Sequence, residues 1–72
     1  MRVEYRGYVI EIEARRENRL WTADAWVWVL FSGSRILADT NEVKGYKRQD
    51  EAETAALLWG KERVDLYVLR EL

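Results

Sequence analysis

Any catalysis by this chain would depend on carboxylates, because its 72 residues include no histidine and no cysteine. The chain therefore offers no thiol nucleophile and no imidazole as general base or metal ligand. Glu11 and Asp24, opposite each other in the predicted sheet, form the one carboxylate pair that could move a proton or hold a divalent ion. A solvated sheet surface is the simpler interpretation. Ser32 and Ser34 lack an activating partner, so the sequence predicts a non-enzymatic protein without cofactor or metal.

Basic residues form two groups that could contact phosphates, one at an expected turn and one just before an expected helix. These are Arg15, Arg16 and Arg19, and Lys44, Lys47 and Arg48. A helix N-terminus attracts anions, so the second group could extend such a site along a phosphate backbone. Against this, Asp50, Glu51 and Glu53 already place negative charge there, and the net charge of the chain is -1. DNA binding through these residues is therefore the alternative function.

Two of the four tryptophans lie one residue apart in the segment "DAWVWVLFSGSR", residues 24–35. The alternation of a β-strand sends Trp26 and Trp28 to one face of a sheet, and Ala25 and Val27 to the other. Two indoles present roughly 300 to 500 Å², comparable to the largest apolar patch on a typical monomer. We expect this face to bind a partner through six residues: Tyr5, Val9, Trp26, Trp28, Leu30 and Leu37.

Three alternatives could cover the tryptophan face: a second copy of the chain, another macromolecule, or the C-terminal residues 64–72 folding back over it. Chains below about 70 to 80 residues usually add disulfides, a metal or a partner subunit to a small core. The absence of cysteine and histidine almost excludes the first two, which leaves oligomerisation or unusually good packing. The leading hypothesis is an interaction module that forms a homodimer or binds another protein.

The expected elements begin with a strand over residues 3–14, where apolar and acidic residues alternate. A turn at Glu17 and Asn18 would join it to the next strand, and Gly7 would lie opposite Trp28. The predicted register pairs Tyr8 with Val27, Ile10 with Ala25, Ile12 with Ala23, and Ala14 with Trp21. Every one of these pairs is apolar, which indicates the core face.

A second turn at Gly33 and Ser34 would start a third strand. Its predicted pairs are Val29 with Ala38, Phe31 with Ile36, Leu30 with Leu37, and Trp28 with Asp39. A polar loop, residues 39–49, would then lead to a C-terminal helix with a buried stripe of Ala52, Ala55, Ala56 and Trp59. Gly60 would weaken this helix. The predicted core face of the sheet comprises Tyr8, Ile10, Ile12, Trp21, Ala23, Ala25, Val27, Val29, Phe31 and Ile36.

Together these elements predict a single α+β domain over residues 1–72, a three-stranded antiparallel meander with one C-terminal helix packed across one face. No segment has the pattern of a signal peptide or the apolar length of a membrane span. The expectation is therefore a cytoplasmic protein that does not enter a membrane.

The segments "YRGYVIEIEA", "LWTADAWVWV" and "GYKRQDEAETAALLWGKERVD" resemble small bacterial β-β-β-α proteins that form a domain of unknown function. The resemblance implies the fold and no activity. Arg48 stands where those proteins usually place a Thr or Ser helix cap. A looser likeness, carried by "LWTADAWVWV" and "GYKRQDEAETAA", is to the arm-type N-terminal DNA-binding domain of tyrosine recombinases. That family usually carries more Lys and Arg on its strands.

Overall fold

The computed structural model describes residues 1–71, which form one antiparallel sheet followed by one helix. The sheet contains four strands in the order β1-β2-β3-β4. The elements are β1 (Arg2–Tyr5), β2 (Tyr8–Glu17), β3 (Leu20–Phe31), β4 (Ser34–Tyr46) and α1 (Gln49–Arg70). The α+β class and the C-terminal helix are confirmed, whereas the prediction of three strands is one short.

The additional strand exists because a tight turn divides the first predicted strand. Arg6 and Gly7 have φ values of 52° and 85°, and two successive positive φ values are typical of a two-residue hairpin turn. Tyr5 pairs with Tyr8 directly across this turn. Gly7 therefore lies in a turn, and its predicted position opposite Trp28 is wrong.

The β2–β3 register differs from the predicted one by two residues. The turn residues are Asn18 and Arg19, and Ile10 pairs with Val27 instead of Ala25. Asn18 has a φ of 59°, which asparagine tolerates because its short polar side chain can hydrogen-bond locally. Side chains alternate with a period of two, so a shift by two changes every partner and leaves every residue on its predicted face.

The β3–β4 register is also shifted by two residues at the turn. Ser32 and Gly33 are the turn residues, with φ values of 50° and 77°, and Val29 pairs with Ile36. The predicted turn, at Gly33 and Ser34, is therefore one residue too late in the chain.

Strand β4 continues through most of the predicted polar loop. It is an edge strand and most of its side chains are exposed, so it can carry polar residues without the alternation that identifies a half-buried strand. Ala38 is an extra residue between the partners of Trp28 and Val27. A second irregularity in the pairing includes Gly45, whose φ is 87°.

Helix α1 packs across one face of the sheet through residues spaced four apart. Ala52, Ala56, Gly60 and Val64 are its buried positions. A Cβ atom on Gly60 would lie 2.7 Å from Cγ2 of Ile10, so the glycine allows the helix to approach the sheet closely. Of the predicted stripe, Ala52 and Ala56 are buried, whereas Ala55 and Trp59 are half-buried. The buried sheet residues of this core are Tyr8, Ile10, Ile12, Ala23, Ala25 and Val27.

The helix continues to Arg70, so residues 64–70 do not fold back over the tryptophans. Residue 72, the last of the predicted C-terminal segment, lies outside the described residues. Arg48 occupies the N-cap position without a side-chain cap hydrogen bond, and Asp50 and Glu51 lie in the first turn. There their negative charges interact favourably with the positive end of the helix dipole.

Candidate interaction surface

The sheet face opposite α1, called here the helix-free face, is divided along its length into a polar half and an apolar half. Strand β3 contributes Thr22 and Asp24 to the polar half, and Trp26, Trp28 and Leu30 to the apolar half. Both tryptophans lie on this face, as the alternation predicts, and both are half-buried.

The six predicted contact residues do not form one surface. Tyr5 lies on the opposite face, where it packs against the core and its hydroxyl donates a 2.8 Å hydrogen bond to Oδ1 of Asp65. Placing Tyr5 beside the tryptophans was wrong, because the turn at Arg6 and Gly7 reverses the chain. Val9 pairs with Trp28 and is 0% exposed, so no partner can reach it. Leu30 and Leu37 are accessible.

An arginine covers part of the aromatic surface. The guanidinium carbon of Arg35 lies 4.8 Å from the ring centroid of Trp28, within the range of a cation–π interaction. The same guanidinium donates a 2.7 Å hydrogen bond from Nη1 to Oε1 of Glu11. Among the described residues, buried Nε1 of Trp28 has no hydrogen-bond acceptor. Trp28 is thus held between Val9 and Arg35, with only part of its ring available.

The most exposed apolar surface of the sheet is the end of the β3–β4 hairpin. Strand β2 begins at Tyr8, which pairs with Val29, so the last residues of β3 have only β4 beside them. We call the four large apolar residues next to this turn the hairpin tip. They are Leu30 (48% exposed), Phe31 (67%), Ile36 (51%) and Leu37 (46%).

The hairpin tip is apolar on both of its faces. Leu30 and Leu37 lie on the helix-free face, and Phe31 and Ile36 on the face that α1 covers elsewhere. The prediction that Phe31 and Ile36 are core residues was wrong about burial and right about the face. Sequence alternation gives no signal for this difference, because it does not show how far β3 extends beyond β2.

The polar half of the helix-free face is organised around Arg15. Its guanidinium hydrogen-bonds the carboxylates of Asp24, Glu17 and Glu42, with a distance of 3.1 Å from Nε to Oδ2 of Asp24. Hydrogen bonds from Arg15 and then Lys44 hold the pKa of Glu42 below its ordinary value. This cluster cross-links three strands.

The predicted carboxylate pair does not form. Glu11 pairs with Trp26, and Asp24 pairs with Glu13 on one side and Glu42 on the other. Asp24 is bound to Arg15 instead. Among residues 1–71 no group of three or more potential metal ligands comes together.

The two predicted basic groups do lie at the same end of the sheet. Trp21 pairs with Arg16 on one side and with Tyr46 on the other, which brings the β2–β3 turn close to the segment before α1. Three of the six basic residues are bound to carboxylates: Arg15, Lys44 (to Glu42) and Arg48 (to Asp50). Within the described chain, the other three form no ion pair: Arg16, Arg19 and Lys47.

Hydrogen bonds on the helix-covered face fasten α1 to the strands and were not predicted. Asp65 accepts hydrogen bonds from Tyr5 and from Nη1 of Arg6, both at 2.8 Å. These bonds, that from Arg6 first, lower the pKa of Asp65. Further along the helix, the Tyr67 hydroxyl donates to Oδ2 of Asp39 at 2.9 Å. These residues are far apart in sequence, so local patterns could not identify them.

Across residues 1–71 there is no detectable cavity. Nor does this part of the chain contain a helix with both the length and the apolar character needed to cross a membrane. The features that could recognise another molecule are therefore surfaces: the hairpin tip with the neighbouring tryptophans, the basic end of the sheet, and the outer edge of β4.

No protein-family model, curated protein or solved structure matches this chain. The resemblances to bacterial β-β-β-α proteins and to the recombinase arm-binding domain therefore stay predictions.

Proposed function

We propose that this chain is a non-enzymatic interaction module that self-associates through the hairpin tip and the adjoining tryptophans. The observation that carries the proposal is the exposure of four large apolar side chains on both faces of the sheet next to the β3–β4 turn. Contiguous exposed apolar surface marks interaction sites in soluble proteins.

The contact residues differ from those expected from sequence alone. Leu30 and Leu37 remain, and Trp26 and Trp28 contribute the exposed parts of their rings. Phe31 and Ile36 join the surface, whereas Val9 and Tyr5 leave it because they are committed to the fold.

A second copy is the partner that the small core favours. Much of the contact between α1 and the sheet involves small side chains, among them Ala23, Ala25, Ala52 and Ala56, which bury little apolar area each. Since chains of this size usually need a further source of stability, covering the hairpin tip by dimerisation would supply it.

The test is molar mass by light scattering after size exclusion, at two widely separated concentrations. The expected mass of the wild type at high concentration is twice 8.6 kDa. Leu30→Ser combined with Leu37→Ser should give a folded monomer. The matched control is Leu58→Ser with Leu66→Ser, two leucines of α1 that are 58% and 45% exposed, and it should remain dimeric. A wild type that is monomeric at every concentration would refute self-association.

Nucleic-acid binding is the second candidate, and one observation favours it. The sheet brings Arg16 and Arg19 to the same end as Lys47, and none of the three is paired with a carboxylate within the described residues. Phosphate contacts need unpaired cations of this kind. However, Asp50 and Glu51 lie in the first turn of the adjacent helix, and their negative charges reduce the positive potential of this end of the sheet.

Titration of a short DNA duplex at low salt tests this candidate. Binding through phosphate contacts should weaken steeply as salt increases. Arg16→Gln with Arg19→Gln should weaken it, while Arg2→Gln with Arg70→Gln, which removes equal charge elsewhere, should not. Equal loss in both variants would show a non-specific charge effect, and absence of binding at low salt would remove the candidate.

A further inference from the structure

The two edges of the sheet differ greatly in length. Edge strand β1 contains four residues, whereas edge strand β4 contains 13. Within residues 1–71, β3 is the one strand that pairs with β4. The outer side of β4 therefore presents a long row of N–H and C=O groups with no strand beside them, which is a template for pairing with another strand. In this row the N–H of Thr40 donates to Oδ1 of the neighbouring Asp39 at 2.8 Å.

The extra residue Ala38 changes which side chains of β4 share a face. Before it, Arg35 and Leu37 pair with Leu30 and Trp28, on the helix-free face. After it, Thr40 pairs with Trp26 on the same face. Odd-numbered residues before the irregularity and even-numbered residues after it thus point to the same side.

This change restricts how β4 can pair with a second β4 about a two-fold axis. In such antiparallel pairing, directly opposite side chains must point to the same side of the joint sheet. Consider the pairs in which a residue before Ala38 lies opposite a residue after Ala38 of the second copy. In these pairs the two side chains point to the same side only in every second register. Adjacent allowed registers therefore differ by two residues, and charge distinguishes them.

One allowed register is complementary in charge. With the axis between Ala38 and Asp39, Arg35 faces Glu42 of the second copy, and Leu37 faces Thr40. Moving the register by two residues in one direction places Arg35 opposite Lys44, which is repulsive. Moving it by two in the other direction loses the Arg35 and Glu42 pair and places Ile36 opposite Asp39.

We propose that two copies join their β4 strands antiparallel about an axis between Ala38 and Asp39, a proposal that rests on the self-association proposed above. The product is a continuous eight-stranded sheet in which residues 34–43 of each chain overlap. Glu42 already hydrogen-bonds Arg15, and Arg35 already hydrogen-bonds Glu11. The new contact links these pairs into one alternating row of charges across the junction.

The same register covers part of the hairpin tip. Ile36 lies opposite Asn41 of the second copy and diagonally next to its Val43, which packs against that copy's core. Ile36 of each chain thus gains one apolar neighbour, Val43, in the other. Leu30 and Phe31 lie on β3, so edge pairing brings the β4 half of the tip, Ile36 and Leu37, against the second copy.

Disulfide cross-linking tests the register, because the chain has no cysteine of its own. Arg35→Cys combined with Glu42→Cys should give a covalent dimer under mild oxidation, since directly opposite residues approach disulfide distance. The matched control, Arg35→Cys with Lys44→Cys, represents the register displaced by two residues and should cross-link much less. Thr54→Cys, on the exposed side of α1, measures random collision.

The outcomes separate this inference from the proposed function. Preferential cross-linking of the 35 and 42 variant supports the register, and preference for the 35 and 44 variant overturns it. A dimeric mass without cross-linking of either variant overturns edge pairing while self-association stands. A monomeric mass overturns both.

Discussion

The sheet face that α1 covers is buried at its centre and exposed at the hairpin tip. Ile10 and Ile36 both point towards the side that α1 occupies, yet Ile10 is 0% exposed and Ile36 is 51% exposed. The two residues have the same side chain and lie in strands of the same sheet. The comparison shows that alternation assigns a residue to a face, while burial also requires an element that reaches it.

The physical cause is the position of α1. At the centre, Gly60 brings the helix backbone against Ile10, and Ala52, Ala56 and Val64 fill the remaining contact. At the tip, β2 does not extend beside Leu30 and Phe31, and Phe31 remains largely exposed. Ile36 lies on β4, the edge strand. The core is therefore a property of the overlap between helix and sheet.

Truncating the two isoleucines should produce the largest difference. Ile10→Ala removes a fully buried side chain, and we expect a loss of about 2 to 5 kcal/mol in the free energy of unfolding. Ile36→Ala should cost much less, because its side chain is half in solvent. Urea unfolding at concentrations where the chain is monomeric measures both. If Ile10→Ala does not fold, Ile10→Val should still cost about 0.5 to 1.5 kcal/mol. Similar losses at the two alanine variants would contradict the comparison.

A branched side chain at Gly60 should give the next largest effect. Gly60→Val forces α1 away from Ile10, and overpacking of this kind costs about 1 to 3 kcal/mol. Thr54→Val places the same side chain on the exposed side of the helix and should leave stability nearly unchanged. Thermal unfolding followed by circular dichroism compares them. Equal unfolding temperatures for the two variants would mean that moving α1 away from the sheet does not destabilise the fold.

The pH dependence of stability should show the smallest effect. Hydrogen bonds from Arg6 and then Tyr5 lower the pKa of Asp65 below its ordinary value of 3.8. A lowered pKa in the folded state means that this stabilisation is present above the ordinary value and is lost as pH falls through the folded pKa. Glu42, lowered chiefly by Arg15, acts in the same direction.

The measurement is the urea midpoint at neutral pH and below pH 4. Asp65→Asn should be less stable than the wild type at neutral pH, and the difference should shrink in acid. Glu62→Gln removes a carboxylate of the same helix that forms no ion pair within the described residues, and it should follow the wild type throughout. A constant deficit of Asp65→Asn at every pH would show that the lost interaction is not one of charge.

Much of the fold could be predicted from local patterns. The period of two placed Ile10, Ala25 and Val27 on the core face, and the composition after Gln49 predicted the helix. The candidate surface was predicted less completely. Trp26 and Trp28 were placed on the correct face, but the exposure of Phe31 and Ile36 and the burial of Val9 were not foreseen.

By itself, the sequence determined the face of the residues in β2 and β3 and the presence of a C-terminal helix, because both follow from interactions between near neighbours. Tertiary structure alone decided the two registers, since a shift of two residues preserves every face and depends on which residues adopt positive φ in the turn. It also decided which apolar residues are core. Burial of an apolar residue depends on whether α1, which packs closely through Gly60, extends over it. The local sequence around a strand residue carries no information about the position of the helix.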